Sequence, residues 1–305
     1  MQTLTEIKAL LAERGLRPKH ALGQNYLHDH NQLRKLVAAA AVQRGDLVLE
    51  VGPGTGTLTE TLLDVGARVV ACELDRDMAA IVQDRNLARL CENPALLSAG
   101  QVHVIRGDCL DGKHALSAEV IAALDAAGAG GAADAGGAAA TDGSADTAAR
   151  STYRLVANLP YQAATPLMAT LLESHPACIG QFVTVQREVA DRMAAGAGSD
   201  AYGPLSVTMS LLAEVKVIAT VPPGCFWPAP TVTSAMIAVQ PRAERAVQPW
   251  APFAQFVQRV FGQRRKQLGS MLGRDAVAAA GFDPQRRPET LAPQEWVALY
   301  GCFRS

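Results

Sequence analysis

Three stretches of this chain carry residue types whose spacing could bind a small ligand and act on it. In Val48-Leu49-Glu50-Val51-Gly52-Pro53-Gly54-Thr55-Gly56-Thr57-Leu58, an apolar run breaks into alternate glycines and then into helical spacing. Glycine is required where backbone approaches a ligand and a Cβ would collide, so Gly52 and Gly54 are candidate cofactor contacts. Glu73 stands 21 residues beyond Gly52, at the end of the next β-branched run. An acid there can accept from both hydroxyls of a ribose. Asp108, after Val102–Arg106, ends a third run at the same edge, where it could meet an adenine amino group. The spacing G-x-G-x-G lacks the last glycine of the dinucleotide fingerprint, and no Gly-Lys-Ser/Thr follows. An ordinary tight strand–helix turn is the competing reading of the glycines alone. With both acids in register an adenosine-bearing cofactor is favoured. Gly-Pro-Gly-Thr-Gly offers no cation for a pyrophosphate, so S-adenosylmethionine fits better than NAD.

Asn158-Leu159-Pro160-Tyr161 follows a fourth strand-like run. An exocyclic amine on adenine is a poor nucleophile because its lone pair is delocalised into the ring. The Asn158 side-chain oxygen and the Leu159 carbonyl could accept its two N–H bonds and hold the nitrogen toward tetrahedral geometry. Pro160 fixes the backbone, and Tyr161 offers a face for an extruded base. No strong base is needed, since preorganised dipoles stabilise the charge that develops. The competing reading is a strand-end turn with a buried tyrosine.

Those residues need a scaffold. Leu47–Val51, Arg68–Cys72, Val102–Arg106, Leu155–Ala157 and Phe182–Val185 are short apolar runs separated by helical patterns such as Leu58–Val65. Buried runs alternating with helices predict an α/β fold with a doubly wound, mostly parallel sheet. Ala235–Val239 looks like a late strand, and Phe253–Leu272 has a helical period. The expected organisation is a ligand-binding domain over 1–240 and a small all-helical accessory domain over 241–305. Residues 118–150 contain 15 alanines and 6 glycines. Ala118 to Ala126 could extend a helix. Beyond Gly128 the glycine density predicts none, and the stretch reads as a flexible surface insertion.

At 305 residues, 49% apolar and 19% charged, the chain is globular. Its apolar runs fall short of the roughly 20 residues a membrane span requires, and Met1 to Leu16 is no secretory signal. Six dispersed cysteines without a Cys-x-x-Cys pair point to reduced thiols in a cytoplasmic protein with no metal site. The net charge of −1 conceals basic ends: residues 1–45 carry 7 basic and 3 acidic groups, and residues 241–305 carry 10 and 5. Such termini suit a polyanionic partner, or are merely solvated faces. Arg17, Lys19 and His20 make a phosphate-facing arm. Arg259, Arg264, Arg265 and Lys266 fall on one expected helix, either gripping RNA or facing solvent. Phe226, with Pro228 and Pro230, is a stacking ring or a core phenylalanine, and Trp227 a second aromatic beside it.

Together the motifs resemble the KsgA/RsmA family of small-subunit ribosomal RNA adenine dimethyltransferases. The match runs almost end to end. It begins with Lys19-His20-Ala21-Leu22-Gly23-Gln24-Asn25-Tyr26-Leu27 and takes in the glycine loop, Glu73, Gly107-Asp108 and Asn158 to Tyr161. It continues through Gln186 to Ala190, Phe226 to Ser234 and Gln263-Arg264-Arg265-Lys266. The resemblance implies a Rossmann-like class I methyltransferase fold, with S-adenosylmethionine contacts by Asn25, Leu27, Gly52, Glu73, Asp108 and Asn158. In this family Leu22 to Leu27 would form a lid over the cofactor. It also implies two successive methylations of N6 on each of two adjacent adenosines in a hairpin loop near the 3′ end of small-subunit rRNA. The expected partner is that RNA in a pre-ribosomal particle, and the expected state a monomer. Two rivals stand beside it: a large-subunit rRNA methyltransferase of the erythromycin-resistance type, and a ribosome-assembly factor that has lost methyl transfer. Tyr26 departs from the family's usual phenylalanine, and the Ala/Gly insertion is not a family feature.

Overall fold

The computed structural model describes residues 1–92, 101–112, 115–134 and 151–304. By their internal contacts they fall into two compact units, Met1–Arg187 with Val217–Ala238, and Glu188–Lys216 with Val239–Ser305.

The first unit opens with α1 (Leu4–Glu13), whose Thr3 and Glu6 form a reciprocal capping box. A short strand, β1 (Tyr26–Leu27), precedes α2 (His30–Ala39). Strand and helix then alternate: β2 (Leu47–Val51), α3 (Thr57–Asp64), β3 (Arg68–Glu73), α4 (Arg76–Glu92) and β4 (Val102–Arg106). After the short pair β5 (Leu110–Asp111) and β6 (Ala115–Leu116) come α5 (Ala118–Asp134), β7 (Tyr153–Asn158), α6 (Tyr161–Ser174) and β8 (Cys178–Gln186). Next are α7 (Arg187–Ala194), α8 (Pro204–Leu212), β9 (Ala213–Val221), β10 (Phe226–Trp227) and β11 (Ser234–Pro241).

Seven strands form one sheet in the order β4-β3-β2-β7-β8-β11-β9. The pairs β2/β3, β3/β4, β2/β7 and β7/β8 are parallel. Strand order reverses at β2, which lies between β3 and β7. Val51, Glu73, Arg106 and Asn158 therefore end their strands at one edge, the crevice where such sheets take ligands. β2 is buried throughout, which is why it reads as an apolar run, interrupted by Glu50 alone. The apolar face of α2 and α3 packs into the same core as β2, β3 and Phe226.

The second unit is helical and aromatic. It includes α8 and adds α9 (Trp250–Phe261), α10 (Leu268–Leu272), α11 (Arg274–Ala279) and α12 (Pro293–Phe303). Phe261 stacks on Trp296 at 4.9 Å, and Tyr202 meets Phe261 edge-on at 5.8 Å. The Tyr202 hydroxyl donates to the Leu291 carbonyl at 2.8 Å. These interactions draw residues 188–216 into the helical unit, so the expected boundary at 240 does not divide the chain into its compact bodies.

Two other expectations are corrected. The helix expected over Phe253–Leu272 breaks after Phe261, because Gly262 caps it and turn bonds such as Arg264 N–H to Phe261 O replace the helical ladder. Arg259 and Lys266 thus do not share a helix face. Second, α5 runs past Gly128 to Asp134. Its start is anchored by buried Val120 and Leu124 and by Arg68, which donates to the Ala127 carbonyl. Growth from an anchored turn gains one bond per residue, and the intervening alanines offset the glycines. Residues 135–150 of the expected insertion lie outside the described residues.

Candidate functional site

The sheet edge opens into a cavity of about 400 Å³. Its floor is the glycine loop. Gly52 has φ +70°, and a Cβ there would come 3.0 Å from the Pro160 ring; Gly54 has φ +57°, and a Cβ would sit 2.9 Å from the Tyr26 ring. Both glycines are fixed by conformation and by close approach together. The loop, Asn158-Leu159-Pro160-Tyr161 and β1 therefore meet in one place.

Glu73 lies at that edge, 7% exposed. Its carboxylate accepts from the Gly54 N–H at 3.1 Å and the Asp75 N–H at 2.9 Å. A carboxylate has about four acceptor directions, so capacity remains for ribose hydroxyls. Burial raises its pKa, against the backbone bonds that lower it. Asp108 is exposed at the rim, with one oxygen accepting from the Leu110 N–H at 2.9 Å. Glu50 is 1% exposed and accepts from the Thr59 hydroxyl at 2.7 Å. Burial pushes its carboxyl up to about 8. Glu50 is absent from the expected site residues, although the one acid in an otherwise apolar run before the glycines is a signal for it. Cys72 and Cys109 also line the cavity, and burial pushes both thiols up to about 12, so neither is a nucleophile.

On the opposite wall, the Asn158 side-chain nitrogen donates to the Asn25 carbonyl at 3.0 Å. That leaves its oxygen as the acceptor available to a ligand. The Leu159 N–H donates to the Thr184 carbonyl at 3.2 Å, while among the described residues nothing donates to the Leu159 carbonyl. Tyr161 is half-buried, its hydroxyl 2.8 Å from that of fully buried Ser234. Asn25, Leu27, Gly52, Gly54, Glu73, Asp108, Asn158 to Tyr161 and Phe226 all line this cavity.

Other expected residues are placed differently. Phe226 touches the cavity but is 3% exposed and belongs to the hydrophobic core. Trp227, on the other face of β10, packs against Tyr26 at 6.3 Å, with Lys8 5.5 Å above its ring. Lys19 is no free phosphate contact: its ammonium lies 2.9 Å from Asp75 and 3.0 Å from Asp77. Tyr26, in place of phenylalanine, gives its hydroxyl bonds to Gln24 at 2.9 Å and the Met78 sulfur at 3.3 Å. Arg264, Arg265 and Lys266 are exposed in the second unit, in the turn between α9 and α10, with no ion pair among the described residues.

The cavity's charge decides what fits. Glu50, Glu73 and Asp108 line it, with no lysine, arginine or histidine among the described residues. A pyrophosphate would be repelled, whereas a nucleoside bearing a positive sulfonium is matched.

The profile of the ribosomal RNA adenine dimethylase family matches residues 15–296. Ribosomal RNA small subunit methyltransferase A of Nocardia farcinica is 39% identical over 311 residues, covering 96% of this chain and 92% of its own length. The protein of that name from Anaeromyxobacter sp. (strain K) is 39% identical over 304 residues, covering 96% and 95%. A dimethyladenosine transferase from Plasmodium falciparum superposes with TM-score 0.66 at 21% identity, over 90% of this chain and 95% of that one. The 23S rRNA methyltransferase ErmE gives 0.58 at 22% identity, over 91% and 99%. These likenesses show a Rossmann-like class I methyltransferase fold. The chain belongs to the ribosomal RNA adenine dimethylase family.

Proposed function

We propose that the cavity seats S-adenosylmethionine, with its ribose on Glu73 and its adenine toward Asp108, and that Asn158 presents a target adenine amine to it. The chain is an S-adenosylmethionine-dependent rRNA adenine dimethyltransferase acting on small-subunit rRNA during ribosome biogenesis. The finer reading is two adjacent adenosines near the 3′ end of that RNA, met in a pre-ribosomal particle by a monomer. One observation carries it: a cavity lined by the acids Glu50, Glu73 and Asp108 and, among the described residues, by no cation, closed on one side by Asn158 and the free Leu159 carbonyl.

When bound, the cofactor supplies an electrophilic methyl on a positive sulfonium. The chain's own residues do the rest. The Asn158 oxygen and the Leu159 carbonyl accept the two amine N–H bonds and direct the nitrogen lone pair into the cavity. As positive charge grows on that nitrogen, both oxygens bind it more strongly, which is differential stabilisation. Pro160 keeps the Leu159 carbonyl in place, and the Tyr161 ring, tethered by Ser234, supports the extruded base. Gly52, Gly54, Asn25 and Leu27 close around the cofactor. Arg264, Arg265 and Lys266 take RNA phosphates.

Tritiated methyl transfer to small-subunit particles from a deletion strain, followed by mass spectrometry of rRNA fragments, tests this reading. Dimethylation of two adjacent adenosines is expected. Labelling of large-subunit rRNA instead would favour the erythromycin-resistance type. Absence of any label would leave an assembly factor without methyl transfer.

A further inference from the structure

We propose that Asp75 is a positioning residue: it latches the segment Lys19 to Tyr26 against the start of α4 and, through the Asn25 carbonyl, sets the direction in which the Asn158 amide faces. The inference rests on the reading of the cavity as the cofactor site.

Asp75 lies between β3 and α4, two residues after Glu73, and is 4% exposed. A carboxylate so placed must have its solvation replaced by the protein. Most of that replacement comes from the N-terminal segment. One oxygen accepts from the Gln24 amide at 2.7 Å; the other accepts from the Lys19 ammonium at 2.9 Å and the Asp77 N–H at 3.1 Å. Burial pushes this carboxyl up, but the Lys19, Gln24 and Asp77 bonds outweigh it and hold it below the ordinary value. Asp75 is therefore charged, and the segment from Lys19 to Gln24 is its counter-charge and its hydrogen-bond shell.

Gln24 carries the constraint onward. While its nitrogen is held by Asp75, its oxygen accepts from the Lys19 N–H at 2.8 Å and the Tyr26 hydroxyl at 2.9 Å. Both ends of one amide are thus engaged: Asp75, Lys19 and Gln24 close a ring of bonds, and the Tyr26 hydroxyl is tied to it at Gln24. Asn25 lies between Gln24 and Tyr26, held by the bond between their side chains, and its carbonyl takes the Asn158 nitrogen at 3.0 Å. Were the ring to open, the Asn158 amide would be free to turn and offer its nitrogen, a donor, where an amine needs an acceptor. The Asp75 backbone N–H also donates to Glu73 at 2.9 Å. The same two-residue step thus carries the ribose acceptor and the latch, placing cofactor seating and amine orientation under one anchor.

The test uses the full chain, small-subunit particles as substrate, and four variants: Asp75→Ala, Asn158→Ala, their double mutant, and Glu73→Ala. Single-turnover methyl transfer is measured at saturating S-adenosylmethionine, cofactor affinity by calorimetry, and amide hydrogen exchange over residues 19–27. Asp75→Ala should speed exchange in that segment, weaken cofactor affinity roughly tenfold and slow the single-turnover step. The double mutant should be no slower than Asn158→Ala alone, because Asp75 acts through Asn158. An aspartate that merely stabilises the fold would lower the melting temperature and multiply with Asn158→Ala, and that outcome overturns the proposal. So does an Asp75→Ala enzyme with normal exchange and rate. If Asp75→Ala does not fold, Gln24→Ala cuts the same latch from its half-buried partner and is held to the same non-additivity. Unchanged cofactor affinity in Glu73→Ala would instead remove the cofactor-site reading, whatever Asp75 does.

Discussion

The Asn158 side-chain nitrogen donates to the Asn25 backbone carbonyl at 3.0 Å, joining the end of β7 to the segment before β1. This bond gives the amide its polarity: the nitrogen is spent on the protein and the oxygen is left for the ligand. Asn158→Ala should therefore slow the single-turnover methyl step on the order of 10² to 10³, as loss of a preorganised transition-state partner does. Affinity for small-subunit particles should change little. Near-normal single-turnover rates would count against the amine-orienting role.

Glu50 gives the site a pH signature. Burial pushes its carboxyl up to about 8, the nearby Glu73 charge adds to that, and the Thr59 hydroxyl opposes it. The folded state thus binds this proton more tightly than the unfolded chain. The stability this contributes is full below the ordinary value of 4.5 and is lost as pH rises through about 8. Glu50→Gln fixes the neutral form. In cofactor-free protein its melting temperature should overtake that of the wild type progressively as pH rises from about 5 to about 8. A positive sulfonium favours the carboxylate, so wild-type cofactor affinity should rise over the same window and the variant's should not. A melting difference independent of pH would show that Glu50 titrates normally.

Tyr161 and Ser234 share one hydrogen bond at 2.8 Å, and Ser234 is fully buried. If the hydroxyl tether only orients the ring, Tyr161→Phe and Ser234→Ala should each slow methyl transfer modestly, by about 1 kcal/mol of barrier. Their double mutant should be no worse than either alone. Tyr161→Ala, which removes the ring, should raise the RNA KM as well. Additive losses from the two hydroxyl deletions would separate Ser234 from Tyr161.

How much of this was legible in the sequence depended on burial. β2 was readable to the residue because a buried run closed by glycine announces its own end. β4, of which only Ile105 is buried, was readable because three β-branched residues fall within five positions closed by Arg106. β9 was not, since its half-exposed residues mix Glu214 and Lys216 among valines, leaving no run and no clean alternation. Gly262 was visible, but a helical period on both sides of it hid the break that α9 makes there. Glu73, Asp108 and Asn158 could be named because each ends, or closely follows, a strand that the topology brings to one edge. The parts played by Asp75, Gln24 and Ser234 could not be read, although Gln24 and Ser234 stand within the family motifs. Their partners lie 51 and 73 residues away in sequence, and nothing local distinguishes a latch from any other polar side chain.

Gly128 shows how packing overrides propensity. Alanine in a helix interior gains about 1 kcal/mol over glycine. Yet a Cβ at Gly128 would lie 2.6 Å from the Ser151 Cβ, well inside van der Waals distance. Gly128→Ala should therefore lower the melting temperature, and adding Ser151→Gly should restore it to the wild-type value or above. A rise for Gly128→Ala alone would show that Ser151 yields at no cost.

The RNA grip is tested at the turn after α9. Arg264, Arg265 and Lys266 are exposed, and no ion pair holds any of them among the described residues. Replacing all three by alanine should leave circular dichroism and melting temperature unchanged, since such surface changes carry little stability. Cofactor affinity should also stay the same, because these residues are absent from the cavity lining. RNA binding should weaken, and its salt dependence should flatten by roughly 0.7 to 0.9 in log–log slope for each phosphate no longer neutralised. If every one of these side chains neutralises a phosphate, the slope should fall by about 2 to 3. An unaltered slope on small-subunit particles would move the phosphate-binding role to Arg17 and His20. Lys19 cannot take their place, because Asp75 and Asp77 already neutralise its ammonium.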